Sequence, residues 1–226
     1  MSSERVTTRL LLVRHGESKV TVARTIGGPR TCSGLSPLGV RQAAALRKRF
    51  EAGHEPHVDV LCSSTLPRAY ETAEVLAPGL GDLPIAADAD LSEMHPGESD
   101  GLTFDAFVAK YGSPAGPAEP HRPMCPGAES PAEFHHRVDR VLHRLLAEHC
   151  GATVLVACHG GVIDVAMRSL LGLGMRTHFD LWTLNTSITE FAATGPARSH
   201  HQRMRLVRYN DAAHLAGLPA ETPTKR

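Results

Sequence analysis

The sequence has no excess of charge of either sign and no long apolar run. Lys and Arg together number 24, Asp and Glu also number 24, and the formal net charge is zero. The basic footprint that nucleic-acid binding requires is therefore absent, and we expect no nucleic-acid partner. No apolar run reaches the length of a membrane span, and the run after Arg9 is too short for the core of a signal peptide. We therefore expect no membrane association either.

The sequence also lacks the patterns of a disulfide framework or a metal site. Its five cysteines are an odd number and form no Cys-x-x-Cys motif, which favours a reducing cytoplasmic location without disulfides. None of the 14 histidines belongs to a His-Glu-x-x-His or similar motif. His135, His136 and His143 belong largely to the polar side of one predicted helix. We predict that the protein uses no metal ion and no cofactor.

Short apolar runs alternate with segments of helical periodicity along the chain. Ser36 before Pro37 indicates one helix start, and Ser130 with Glu133 forms a capping box at another. We predict strands at residues 10–13, 58–62, 85–87, 153–158, 187–192 and 204–209, and helices between residues 36 and 53, 66 and 76, 103 and 111, 130 and 149, and 160 and 171. Residues 17–33 are predicted as a loop and residues 218–226 as a flexible tail. The alternation predicts a single layered α/β domain over residues 1–226.

Prolines recur at every third position between residues 112 and 127. They are Pro114, Pro117, Pro120, Pro123 and Pro126. This period matches the three residues per turn of polyproline II, so we predict a stiff exposed loop or lid. A docking site for a proline-reading domain is the alternative.

Two predicted strands end in a histidine that is followed by glycine. The first apolar run leads into Arg14 and His15, and the run at residues 153–158 leads into His159. Continuous apolar runs of this length are typical of parallel strands buried on both faces. Open α/β sheets bind ligands at the carboxyl ends of such strands. If the two strands are neighbours, both imidazoles lie in one pocket.

These residue types suit a phosphoryl group. A neutral imidazole can act as a nucleophile, and phosphoryl transfer requires positive charge around the phosphate oxygens. Arg14 offers a planar fork for phosphate, and Gly160 opens a helix whose N-terminus favours an anion. Arg68 lies one turn into another helix and can point into the same crevice. Glu93 is a candidate proton donor to the leaving group, with rivals at Glu98 and Asp100.

The heptad Leu-Val-Arg-His-Gly-Glu-Ser at residues 12–18 resembles the signature of the histidine phosphatase superfamily, also called the phosphoglycerate mutase-like family. Further similar blocks are residues 35–39 with 42–43, 63–69 with 72–73, 91–93 with 97–98 and 101–102, 126–130, 158–161, and 185–190. They occur in order and at plausible spacing from Arg9 to Glu190. An Arg-His-Gly triplet alone is weak evidence, whereas the ordered series is strong.

The resemblance implies a three-layer αβα sandwich around a mainly parallel sheet and a role for each matched residue. His15 would be the nucleophile that becomes phosphohistidine, and Arg14, Arg68 and His159 would hold the phosphoryl oxygens. Glu93 would protonate the leaving oxygen, and Gly160 would add a backbone N–H. The family needs no metal, because the arginines and the second histidine replace one. Residues 94–127 would form the cap that reads a small phosphorylated substrate.

The sequence also departs from the family pattern. Thr21 stands where many members have Asn, and a hydroxyl offers fewer donors to phosphate. Gly27 and Gly28 fall where the mutases use backbone N–H groups against substrate. Because the cap lacks the long insertion of glycolytic mutases, we favour a phosphomonoester hydrolase over a phosphoglycerate mutase-type isomerase. A non-catalytic phosphate-binding regulator remains a third hypothesis, and the sequence indicates neither the physiological substrate nor the oligomeric state.

Overall fold

A computed structural model describes residues 5–114, 119–175, 181–196 and 203–220. The strands are β1 (Arg5–Arg14), β2 (Val60–Ser64), β3 (Ile85–Asp88), β4 (Thr153–Cys158), β5 (Ile188–Pro196) and β6 (Arg203–Asp211). The helices are α1 (Lys19–Val22), α2 (Pro37–Glu51), α3 (Pro67–Leu76), α4 (Phe104–Tyr111), α5 (Pro131–Glu148) and α6 (Gly160–Leu170). Within these ranges, no helix combines the length and hydropathy that a membrane crossing requires.

The strands form one six-stranded sheet in the order β3-β2-β4-β1-β5-β6. The first four of these strands are parallel, whereas β5 runs antiparallel to both of its neighbours. Strands β1 and β4 are adjacent, and Arg14 pairs in register with Cys158. The sheet therefore brings the carboxyl ends of these two strands side by side.

Helices cover both faces of the sheet, which confirms the three-layer αβα sandwich. Leu10 and Leu12 of β1 belong to an apolar cluster that includes buried side chains of α5 and α6. The alternate residues Leu11 and Val13 belong to a second cluster, together with side chains of α2 and α3. Because successive strand residues point to opposite faces, the apolar run of β1 is buried on both sides, as predicted.

The structure confirms the predicted helix starts and extends several strands. The Ser36 hydroxyl caps α2, and Ser130 and Glu133 form the capping box of α5. Strand β1 begins five residues before the predicted start at residue 10. Residues 5–9 are not an apolar run, and they belong to the sheet because they pair with residues 192–196 of β5. The predicted loop at residues 17–33 contains α1, a single turn in which only Val20 is buried, so it has no apolar periodicity to detect.

The cap region, residues 94–127, is joined to the body of the protein through backbone hydrogen bonds. The Ala132 amide donates to the carbonyl of Pro120 at 2.8 Å, and the Gly101 amide donates to the carbonyl of Ile26 at 2.8 Å. Pro114, Pro123 and Pro126 are exposed, but Pro120 is buried, so the prediction of an exposed loop is wrong at this position. The prediction at Pro117 lies outside the described residues, as do residues 221–226 of the predicted tail.

Candidate active site

His15 and His159 lie side by side where β1 and β4 end. The His15 amide donates to the carbonyl of Cys158 at 2.9 Å, which continues the pairing of the two strands by one residue. The imidazole ring centroids are 5.1 Å apart in an edge-to-face arrangement. Both side chains are buried. The structure therefore brings together the two residues on which the sequence argument depends.

The hydrogen bonds of His15 determine which ring nitrogen is available for chemistry. Nδ1 lies 2.7 Å from the carbonyl oxygen of Gly16, which can only accept, so Nδ1 carries the proton. Nε2 is left with its lone pair and accepts a hydrogen bond from Nε of Arg68 at 3.1 Å. Burial, followed by the charges of Arg68 and Arg14, holds the pKa of His15 well below 6.5. The imidazole is therefore neutral near neutral pH, with Nε2 as its nucleophilic atom.

His159 has one ring nitrogen in use and one without a partner. Nε2 lies 2.8 Å from the Ser64 hydroxyl at the end of β2, whereas Nδ1 is buried and makes no hydrogen bond. A buried polar atom without a partner is costly unless a ligand satisfies it. When Ser64 donates to Nε2, Nδ1 carries a proton that it can donate to an anion. Burial, Arg68 and His15 hold the pKa of His159 well below 6.5.

Two guanidinium groups flank the imidazoles. Arg68 is buried near the start of α3 and donates from a terminal nitrogen to the Gly27 carbonyl at 3.0 Å. The Thr72 hydroxyl donates to the Arg68 carbonyl at 2.7 Å and accepts from the Gly16 amide at 3.1 Å, which fixes α3 against the His15 loop. Arg14 donates to the carbonyl of Thr183. The pocket is therefore strongly positive although the chain as a whole is neutral.

Glu93 lies against the N-terminus of α6. One carboxylate oxygen accepts from the Gly161 amide and the other from the Met94 amide, each at 3.0 Å. The rival acids have other partners. Glu98 is an exposed side chain that pairs with Lys110 and accepts from Tyr111, and Asp100 accepts from the amides of Gly28 and Arg30. Among the three candidates, Glu93 is the acid that contacts the helix opening directly after His159.

Arg137 of α5 is a residue that sequence reasoning missed. Its guanidinium donates to the carbonyls of Asp90, Ser92 and Glu93 at 2.8, 3.0 and 3.4 Å. It also forms a bidentate pair with Glu129, at 2.8 and 2.6 Å. The sequence carries a partial signal, because position 137 lies beside the apolar stripe of α5, one residue before Val138. Its partners on the acid loop are not visible from the sequence.

Asn185 is a second candidate functional residue, and the sequence alone suggested no role for it. Its side-chain amide donates to the carbonyl of His15 at 2.7 Å. The amide of the next residue, Thr186, donates to the carbonyl of Arg14 at 2.8 Å. The turn before β5 therefore supports the backbone of both residues at the end of β1. This turn lies in residues 185–190, a block whose sequence resembles the family pattern without indicating this contact.

The remaining predicted substrate contacts stay predictions. The Thr21 hydroxyl lies 2.9 Å from that of Ser18. Gly27 contributes its carbonyl to Arg68, and the Gly28 N–H donates to Asp100 at 2.9 Å, so a substrate contact would require Gly28 to change partner. Gly160 borders a cleft beside Glu93. Within the described ranges, no group of three or more His, Cys, Asp and Glu side chains could hold a metal ion.

Comparison with known proteins gives a family, curated relatives and solved structures. A family model described as "Histidine phosphatase superfamily (branch 1)" matches residues 10–212. The chain is 36% identical over 199 residues to a bifunctional protein of Mycobacterium tuberculosis, covering 83% of this chain and 51% of that protein. It therefore spans about half the length of that relative. It is 31% identical over 218 residues to putative phosphoserine phosphatase 2 of Hydrogenobacter thermophilus, covering 93% and 98%.

Comparison with solved structures also matches a phosphatase. A mycobacterial glucosyl-3-phosphoglycerate phosphatase superposes with a TM-score of 0.75 at 26% identity, covering 91% of this chain and 99% of that one. Other relatives are named phosphoglycerate mutase.

Proposed function

The chain belongs to the histidine phosphatase superfamily, and on that premise we propose that it is a metal-independent phosphomonoester hydrolase acting on a small phosphorylated metabolite through a phosphohistidine at His15. The observation that carries the proposal is the state of the His15 imidazole. Its proton lies on Nδ1, its Nε2 lone pair faces Arg68, and its pKa is held well below 6.5. A neutral, oriented ring nitrogen beside two guanidinium groups is a nucleophile placed for an anionic electrophile.

The proposed reaction has two half-reactions. In the first, Nε2 of His15 attacks phosphorus, the P–O bond to the leaving alcohol breaks, and Glu93 in its acid form protonates the departing oxygen. In the second, the Glu93 carboxylate takes a proton from water while the water oxygen attacks phosphorus and the P–N bond breaks. Inorganic phosphate leaves, and both residues return to their starting states.

Positive charge from the protein supports the transition state in both steps. Arg14 and Arg68 supply guanidinium donors, and His159 supplies a donor from Nδ1, which is buried without a partner before substrate binds. Donors that are already in place require little reorganisation as charge develops on the phosphoryl oxygens. These groups take the role that a bound cation has in other phosphoryl-transfer enzymes, which is why the proposal includes no metal.

Turnover of p-nitrophenyl phosphate tests the proposal. We expect His15→Ala to abolish release of p-nitrophenol and a chelator to leave the wild-type rate unchanged. A matched control is His57→Ala, because His57 is 84% exposed and precedes β2, at the opposite end of that strand from Ser64. Retention of wild-type activity by His15→Ala would refute the proposed nucleophile.

A phosphoglycerate mutase-type isomerase is the second candidate, because relatives of similar identity carry that name. It shares the first half-reaction and differs in whether water or a second hydroxyl captures the phosphohistidine. Parallel measurement of phosphate release and isomer formation from one phosphoglycerate sample distinguishes the two. A non-catalytic phosphate-binding protein, the third candidate, would bind vanadate without turnover.

We also propose a cellular location and a class of partner for the enzyme. We place the enzyme in the cytoplasm, supported by five free cysteines. We propose a small phosphorylated substrate as its partner and neither nucleic acid nor a membrane, supported by the zero net charge.

A further inference from the structure

A cleft of about 620 Å³ opens beside Glu93 and the N-terminus of α6. Its size falls within the ~300–1,000 Å³ of typical small-molecule sites. Glu93 and Gly160 form its border with the candidate active site, whereas neither imidazole lines it. Because Glu93 is the proposed proton donor to the leaving oxygen, the cleft lies on the side where the alcohol part of the substrate departs.

The lining of this cleft is mainly apolar. Its apolar side chains come from the loop after α1, from the cap, from α5 and α6, and from the segment after α6: Ile26, Met94, Pro96, Pro120, Met124, Pro131, Phe134, Val165 and Met175. Three of these are methionines, whose flexible side chains adapt to irregular apolar ligands. The wall therefore favours a ligand that buries hydrocarbon.

The charged residues of the described lining carry no uncompensated positive charge. Arg168 pairs with Asp164 at 2.8 Å, one turn away on α6. His135 is the third polar side chain, and burial lowers its pKa, so it is neutral near neutral pH. The net charge of the described lining is therefore zero when Glu93 is protonated and negative when Glu93 is ionised.

Three cations of the cap and of the loop after α1 also have acidic partners. Lys110 lies 3.7 Å from Glu98, and Arg122 lies 3.0 Å from Glu119. Arg30 lies 3.6 Å from Asp100 and donates to two backbone carbonyls. Among the described residues of the lining, a carboxylate placed in the cleft would find no cation that lacks an acidic partner, so its loss of hydration would be unfavourable.

From this lining we infer that the preferred substrate is a phosphomonoester of a bulky, largely apolar and uncharged alcohol rather than of a hydroxy acid. The inference deepens the proposed function and rests on it. It sets this chain apart from relatives whose names specify phosphoserine or glucosyl-3-phosphoglycerate, since both of those leaving groups carry a carboxylate. The cleft would therefore select substrates by their alcohol part, and recognition of the phosphate group would be the same for all of them.

A substrate series with matched leaving groups tests the inference. Ethyl, butyl and hexyl phosphate, O-phosphoserine and 3-phosphoglycerate all release a primary alkoxide. We expect kcat/KM to rise several-fold for each two added methylenes, up to roughly tenfold per step. Hexyl phosphate should exceed both acidic substrates by roughly tenfold or more. Equal or higher kcat/KM for the acidic substrates would overturn the inference while leaving the phosphatase proposal intact.

Two substitutions at Met124 link the preference to the cleft. Met124→Lys introduces a cation into the lining, so kcat/KM should fall for hexyl phosphate and rise several-fold for 3-phosphoglycerate. Met124→Leu is the control and should keep the wild-type order. If Met124→Lys folds normally by circular dichroism and its substrate order is unchanged, the cleft does not bind the leaving group and the inference fails. If no substrate is hydrolysed and His15 is never phosphorylated, the proposed function itself fails.

Discussion

Replacing Arg137 with Met should impair protonation of the leaving group more than phosphoryl transfer itself. The Arg137 guanidinium holds the acid loop at three points, by donating to the carbonyls of Asp90, Ser92 and Glu93. Without it, the Glu93 carboxyl loses its fixed position against Gly161. A misplacement of about 1 Å can cost roughly 100-fold in rate. General acid catalysis as a whole contributes roughly 10²–10⁴-fold.

The size of the effect should depend on the leaving group. p-Nitrophenolate departs without a proton, whereas an alkoxide requires one. We expect Arg137→Met to lower kcat by roughly 100-fold for butyl phosphate but by less than about tenfold for p-nitrophenyl phosphate. Combined with Glu93→Gln, the substitution should cost less than the sum of the two single effects, because both act on one group.

Stability is a second readout of the same substitution. The side chains of Arg137 and Glu129 are only 11% and 14% exposed, so Met at position 137 leaves a nearly buried carboxylate without its guanidinium partner. That loss costs about 3 kcal/mol, which corresponds to a fall in Tm of roughly 6–12 °C for a domain of this size. Arg140→Met is the control, because Arg140 lies on the same helix but is 63% exposed. Equal losses of kcat for the two substrates would show that Arg137 acts on stability alone and would refute the positioning role.

Three further predictions concern the two imidazoles, Gly161 and Asp211. Because burial and nearby guanidinium groups lower the pKa of His15 and His159, both rings should titrate below pH 6.5 by ¹⁵N NMR, and a midpoint at or above pH 6.5 for either would contradict this. Gly161→Ala should lower kcat for alkyl phosphates by roughly tenfold or more, since its Cβ would lie 2.1 Å from a Glu93 oxygen, and an unchanged kcat would exclude that position for Glu93. Asp211→Asn should cost about 1–3 kcal/mol at pH 7, because a hydrogen bond from Arg49 depresses the folded-state pKa of Asp211. That stability is present above the unfolded pKa near 3.8 and is lost as pH falls through the folded pKa, so urea unfolding should show the difference shrinking below pH 4.

The fold was predictable where local pattern and burial agree. Strand β4 matches its predicted bounds because all six residues are buried and five of them, residues 154–158, form an apolar run. The N-terminal half of β1 was missed, because its place in the sheet depends on pairing with a strand more than 180 residues away. The single turn of α1 buries one side chain and leaves no periodic signal.

The candidate site divides in the same way. His15 and His159 were predictable together because parallel strands place their carboxyl ends at one edge of the sheet. Arg137 was missed because its partners on the acid loop are carbonyls, which every residue carries, more than 40 positions earlier in the chain. The donor role suggested for Gly28 takes no account of Asp100, 72 residues along the chain, which accepts its N–H. The type of a residue does not reveal which distant residue its backbone N–H or C=O group contacts.

The central claim is that Nε2 of His15 becomes phosphorylated during turnover. The most direct measurement is to quench the enzyme in alkali during reaction with p-nitrophenyl phosphate and to locate the phosphoryl group by peptide mass spectrometry. We expect phosphate on the peptide that contains His15, absent from the His15→Ala variant and lost when the quench is delayed. Phosphate on another residue, or continued turnover with His15 unmodified at every time point, would contradict the account.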